Sequence, residues 1–366
     1  EQCNAAGLIE GKHQSIDSTL VKANASLDSL ERKEPVLTVK EFIDKSYEEN
    51  KDQSSDNKDD NNDKDNKPAE LKLEKRIKKT KRHKEKDINK KYYSKTDPDS
   101  RVASKPRSLK ELYYLTHYAS DSKNRIITDV FTTYADRKDS KDLMQVYERS
   151  AKRLKKLGLI IKEISADKGY CSGENLRRLE ECGVTPFIPS PDHPTKGLPK
   201  ENFIYNEEED AFLCPNNKKI KFSTYVRESK RYSARRKDCL GCPLKEQCCP
   251  GSKMKEINRT IYYKEYERLE QRLIRAEGKR ALRIRETVSE GLFAEAKGNH
   301  SLKKFMSIGI DNARKKSYLI ATVQNLKRLM KLVGRKVKKA LQLSRYQVRE
   351  NIMNIICPNY TSLQVC

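Results

Sequence analysis

Two hydrophobic periods divide the chain. From about Gln14 to Ala25 (QSIDSTLVKANA), apolar side chains fall on both sides of an extended segment that carries Asp17, as in a strand covered on both faces. Tyr113–Ala119 and Arg125–Tyr134 (RIITDVFTTY) are β-branched and aromatic. The turn-forming residues Ser120–Asn124 between them predict a hairpin. The period then changes. Leu143, Val146, Tyr147, Ala151 and Leu154 recur at helical spacing between about Ser140 and Leu157, with Gly158 where a C-cap belongs. Ile164-Ser165-Ala166-Asp167 predicts a strand that ends on a carboxylate. After a turn at Gly169, Ser172 is placed to cap a helix that carries Leu176 and Leu179 and closes at Gly183. Val184–Ile188 returns to strand. The order strand, hairpin, helix, strand, helix, strand predicts an α/β fold, a mixed sheet with helices packed on it.

Elsewhere the pattern lapses. Tyr47 to Asn66 is Asp, Asn, Ser and Lys with almost nothing to bury, so it cannot offset its ordering entropy and is expected to be disordered, together with the residues up to about Lys90. The basic run Lys72–Lys91 reads equally as a solvated linker or as a DNA-backbone contact. Residues from Pro191 to about Thr260 break the alternation with prolines, charges and cysteines, which predicts an insertion. Tyr262 to about Leu343 is helical, with Leu319, Ile320, Val323, Leu326, Met330 and Val333 as an apolar stripe. The expected division is 1–43, the first part of the sheet domain; 44–91, a linker; 92–190, the sheet domain continued; 191–260, the cysteine-rich insertion; 261–343, a helical part; and 344–366, a tail. The chain opens Glu1-Gln2-Cys3 and reaches strand-like sequence at once, as expected of a chain that lacks an upstream domain.

Charge narrows the partner. Lys and Arg number 78 against 53 Asp and Glu, a formal net charge of +25, which suits a polyanion and nucleic acid first. Charge alone would also suit an acidic membrane, but the sequence offers no apolar run near the ~20 residues of a spanning helix. It shows no lipidation motif and no secretory signal either, so an intracellular protein is expected.

Three acids stand in unusual places. Asp17 interrupts an apolar strand, Asp167 terminates one, and Glu290 lies on a helix (EGLFAEAK) with Lys297 two turns on along nearly the same face. An acid within or at the end of a buried strand costs stability unless it is paired, hydrogen-bonded or bound to metal. Taken singly, Asp17 reads as a turn acid, Asp167 as a helix-leading cap and Glu290 as a surface acid, and spacing alone does not bring them together.

The segments SIDSTLVKANAS, TDPDSRVASK, ISADKGYCSGENLRRL and TVSEGLFAEAKGNHSLKKF…NARKKSYLIATVQNLKRLM resemble, in order, successive blocks of DDE transposases from bacterial insertion sequences. The nearest group is that of insertion sequence 1182, related to the insertion-sequence-four transposases, and the resemblance runs from about His13 to Leu332 apart from the acidic linker. It implies an RNase H-like fold and a catalytic, metal-binding triad of Asp17, Asp167 and Glu290. It also implies Mg²⁺ or Mn²⁺ as cofactor, and double-stranded DNA (insertion-sequence ends and target) as partner. A homo-oligomer on DNA and a bacterial cytoplasmic, nucleoid-associated location follow from the same resemblance. Mg²⁺ prefers carboxylate and water oxygens, so these residue types suit it. Lys297 would contact a phosphate near the cut, with Arg285 and Lys168 as further DNA-binding residues. Relatives carry a Tyr and an Arg seven and four positions before the Glu. Here Arg283 and Glu286 stand there, and Arg285 is the nearest substitute. The missing N-terminal domain and these departures favour an alternative, an inactive or domesticated fragment that only binds DNA. Asp121, Asp129, Asp136 and Asp139 resemble structural positions of the family, and Asp97 and Asp99 fall in a loop block expected near the DNA.

Ten cysteines without a secretory signal read as reduced thiols. Cys239 and Cys242 form a C-x2-C pair, Cys248 follows, and Cys214 is the candidate fourth ligand of a structural Zn²⁺. Buried reduced thiols explain the cluster equally well. The basic and aromatic stretch Thr224–Lys237 suits either DNA-backbone contact or a solvated surface.

Overall fold

The computed structural model describes residues 1–33, 88–104, 110–191 and 197–356. The stretch expected to be disordered lies outside these, except for the helical turn Ile88–Lys91; Cys357 and Cys366 also lie outside.

The main sheet contains β1 (His13–Lys22), β4 (Arg101–Ala103), β5 (Glu111–Asp121), β6 (Ile126–Tyr134), β7 (Glu163–Ala166) and β8 (Thr185–Phe187). A small ribbon, β2 (Leu30–Arg32) with β3 (Tyr92–Ser94), stands apart. β5 lies between β1 and both β4 and β6, and all three pair with it antiparallel. On its other edge β1 runs parallel to β7, and β7 parallel to β8. This is a mixed sheet flanked by helices, consistent with the expected RNase H-like fold. The hairpin, the strand before Asp167 and the short strand after Gly183 all form close to where periodicity placed them.

The alternation of β1 explains the two layers of helix. Ile16 faces a core with Leu143, Val146 and Leu154 of α1 (Asp139–Lys155) and Leu176 and Leu179 of α2 (Gly173–Glu181). Ser172 caps α2 as expected, accepting from Asn175 N at 3.2 Å. Val21 faces the opposite core with Val288, Leu292 and Phe293 of α4 (Ala276–Asn299) and Ala313, Ile320 and Ala321 of α5 (Ile310–Ile356). Gly278 lets α4 start tightly against the end of α3 (Tyr263–Ile274): an added Cβ would stand 2.4 Å from Arg272 O.

Three features go beyond what the sequence showed. The loop acids Asp97 and Asp99 hold the start of α5. Asp97 is fully buried, accepts from Tyr114 Oη at 2.6 Å and from Gly309 N at 3.2 Å, while Asp99 accepts from Ile310 N at 3.0 Å. In the apolar stripe of α5 only Ile320 is buried. Leu319, Val323, Leu326, Met330 and Val333 are exposed, because the small and polar residues Ala313, Ser317 and Gln324 make the packed face. The segment 191–260, expected from sequence to be an insertion, has an apolar core of its own. There β9 (Ile204–Asn206), β10 (Ala211–Leu213), β11 (Lys219–Val226), β12 (Ser229–Ser233) and β13 (Glu256–Thr260) form an antiparallel sheet over Phe203, Phe212, Ile220, Tyr232 and Ile257.

Candidate active site

The parallel pairing of β1 with β7 sets Ile16 opposite Ala166, so the next residues, Asp17 and Asp167, stand side by side on adjacent strands. β7 ends there, and Asp167 opens the short turn Lys168–Tyr170, where Lys168 is exposed. The two carboxylates line one cleft of about 510 Å³ with Asp139, Arg137, Lys138 and Tyr170. Gly169 keeps the floor open, since a Cβ would lie 3.1 Å from Asp139 Oδ2.

Electrostatics mark Asp17. Burial pushes its carboxyl up to about 6, opposed by the Ser18 N–H (2.7 Å) and the Arg285 guanidinium, and reinforced by Asp167 and Asp139. Arg285 Nη1 lies 3.6 Å from Asp17 Oδ2, so this expected DNA-binding residue leans on a carboxylate of the cleft. Lys297, further along α4, donates from Nζ to Thr19 Oγ1, on the same face of β1 as Asp17. α4 therefore lies across the strand and brings two cations to it.

Behind the cleft is a buried polar layer. Asp139 Oδ1 accepts from Ser18 Oγ at 2.7 Å, and His117 Nδ1 meets Tyr170 Oη at 2.7 Å. His117 Nε2 lies 3.5 Å from Asp142 Oδ2, and Asp142 Oδ1 lies 2.8 Å from Arg137. The Tyr170 hydroxyl is driven well above its ordinary range by burial and then by Asp139.

The structure brings Asp17 and Asp167 together. It does not place Glu290 with them: Glu290 is exposed and does not line the cleft, although it sits on the flank of α4 that carries Lys297. Asp139, set aside from sequence, does line it. The signal that could have raised it is its place at the first turn of a helix whose preceding loop, Ala135–Lys138, returns to the sheet edge. Asp121 and Asp129 are structural. Asp121 accepts from Gly11 N at 2.7 Å, and the fully buried Asp129 meets Arg149 at 2.8 Å and Arg153 at 3.0 Å. Asp136 lies 3.6 Å from Arg101. A separate groove of about 550 Å³ is lined by Arg268, Arg272 and Arg275, but the first two of these are paired with Glu180.

Among the described residues no group of three or more His, Cys, Asp or Glu side chains stands ready to hold a metal ion. The donor chemistry of the cleft nevertheless fits a hard divalent cation, because adjacent carboxylates raise one another's cost of ionisation and a cation relieves it. The cysteines gather at one end of the small sheet. Cys214 Sγ accepts from Lys218 N at 3.3 Å, and Asn216, in the same turn, donates to Cys242 Sγ at 3.6 Å. Burial, Cys249 and Cys239 push the Cys248 thiol up to about 11. Cys249 is buried, as is Cys171, whereas Cys182 is exposed.

Among the described residues no helix is long and apolar enough to cross a membrane. No curated protein and no solved structure matches the chain. A family model described as a transposase DDE domain matches residues 213–330, about a third of the chain. The matched part runs from the small sheet through α3 and α4 into α5, and so includes Arg285, Glu290 and Lys297 but neither Asp17 nor Asp167. Over residues 213–330 the chain is therefore similar to transposase DDE domains, and that stretch supplies the helix laid across Asp17.

Proposed function

We propose that the chain is the catalytic part of a DNA transposase, cleaving phosphodiester bonds and transferring strands at insertion-sequence ends. One observation carries this reading: two carboxylates on adjacent strands open on one cleft, beneath a helix that belongs to a transposase-like segment. Asp17 and Asp167 would hold Mg²⁺ or Mn²⁺. When bound, such an ion supplies the nucleophile's activation and stabilises the charge that develops on the leaving oxygen. The protein's residues do the rest. Arg285 offsets the charge of Asp17, Lys297 is anchored on Thr19 where a phosphate of the bound strand would pass, and exposed Lys168 flanks Asp167. The excess of basic residues draws the duplex in. Glu290 and Asp139 compete for the place of third carboxylate: Glu290 has the resemblance, and Asp139 has the geometry.

The second reading, a fragment that binds DNA without cutting it, is favoured by the position of Glu290 outside the cleft. Nicking of supercoiled plasmid by the full chain in Mg²⁺, compared with Glu290→Gln and Asp139→Asn, separates the possibilities. Loss of nicking in Glu290→Gln alone assigns the third carboxylate to Glu290, and loss in Asp139→Asn alone assigns it to Asp139. DNA binding with no metal-dependent nicking by the unaltered chain supports the second reading.

A further inference from the structure

Asp17, Asp139 and Asp167 line one cleft, yet among the described residues they do not stand as a ready ligand group, so what fixes each carboxylate decides whether they can act together. Ser18 ties down two of them. Its N–H donates to Asp17 Oδ1 and its Oγ donates to Asp139 Oδ1, both at 2.7 Å, which leaves Oδ2 of each acid outside these bonds. Ser18 is itself held from beneath. Antiparallel pairing sets His117 of β5 directly opposite Ser18 of β1, and the Tyr170 hydroxyl bonds both Ser18 and His117 Nδ1, the latter at 2.7 Å. A hydroxyl carries one proton. Ser18 gives its own to Asp139, so its oxygen must accept from Tyr170, and the bonds run toward the carboxylate. The His117 ring stacks on Phe131 at 6.0 Å and stands 3.5 Å from Asp142 Oδ2, with both His117 and Asp142 fully buried. Stability alone does not account for such a layer, since apolar side chains of similar volume often serve a fold as well or better.

We propose that His117 and Tyr170 are positioning residues of the cleft, holding Ser18 so that the carboxylate of Asp139 is kept in place for a divalent cation shared with Asp17. The inference rests on the reading of the cleft as a metal-dependent site. His117 does not line the cleft and acts only through its neighbours, first Tyr170 and then Ser18. With the chain cut at either residue, Ser18 Oγ is free to turn away. Asp139 must then be ordered at the moment the cation binds, and the cost of that ordering appears as lost affinity.

Binding of Mn²⁺ to the full chain, followed by electron paramagnetic resonance of the free ion, tests it. The unaltered chain should bind Mn²⁺ at a site that Asp17→Asn loses. Tyr170→Phe, with unchanged circular dichroism, should bind it about 10-fold or more weakly, as when a residue that orients a metal ligand is removed. His117→Leu should do the same, and His117→Asn, which still offers the Tyr170 hydroxyl a polar partner, should recover most of the loss. If Tyr170→Phe does not fold, Ser18→Ala, at a half-buried position, cuts the chain at its last link and takes its place. Parent affinity in a folded Tyr170→Phe or Ser18→Ala chain, even one of lower stability, overturns the proposal and leaves the reading of the cleft standing. An unaltered chain without a Mn²⁺ site, or with one that Asp17→Asn keeps, overturns both.

Discussion

Replacing Asp17 by Asn should stabilise the protein at neutral pH and leave it unchanged in acid. In the native state burial lifts this carboxyl from its ordinary 3.8 to about 6, with Asp167 and Asp139 adding to the rise. A group whose native pKa is raised favours folding when protonated. The penalty is therefore absent below about pH 4, grows as pH rises through the interval from 3.8 to about 6, and is complete above it. A rise of about two units corresponds to roughly 3 kcal/mol. That is an upper bound, because the side chain is 21% exposed and water can relax around it. Asparagine keeps the shape and still accepts from Ser18 N, but it gives up the attraction of Arg285, which the raised pKa already includes. The expected gain is about 1–3 kcal/mol at pH 7, or several degrees in Tm. Urea unfolding in EDTA at pH 4 and pH 7 measures it. Added Mg²⁺ should then stabilise the unaltered protein at pH 7 and the variant far less. Equal stability changes at both pH values, or a variant less stable at pH 7, would refute this account of the cleft.

Other expectations follow from single contacts. Asp97→Ala removes a buried acceptor from Tyr114 and from the start of α5, and should cost about 2–4 kcal/mol in chemical denaturation; a change below 1 kcal/mol would deny it the capping role. Although no three of the described thiols stand as a ready ligand group, we further propose that Cys214, Cys239, Cys242 and Cys248 close on one structural Zn²⁺ when it is bound, with Cys249 dispensable. Elemental analysis should find about one zinc per chain, lost in Cys239→Ser with Cys242→Ser and kept in Cys249→Ser; zinc-free protein purified without chelator contradicts this.

Much of the sheet was legible because its residues answer to their immediate neighbours. A polar side chain in an apolar strand picks out Asp17, and a strand that stops on an acid picks out Asp167. The hairpin and α1 announce themselves by period. Long-range partners were not legible. Asp97 caps a helix that begins at Ile310, and nothing within a window around Asp97 records that. The packed face of α5 was not legible because Ile320 sits beside Leu319 and Val323, and helical spacing alone cannot say which neighbouring face packs. Asp139 was hidden because an acid in the first turn of a helix is already explained by the helix dipole. The core of the small sheet was obscured by short strands separated by charged turns.

The most direct test of the central claim is DNA cleavage by the full chain in Mg²⁺ with Asp167→Asn, a substitution at an exposed strand end that should leave folding intact. The account predicts that nicking of supercoiled plasmid by the unaltered protein requires the metal. It also predicts that Asp167→Asn reduces nicking by several orders of magnitude while duplex binding and thermal stability are kept. Metal-dependent nicking by Asp167→Asn at the parent rate would contradict it.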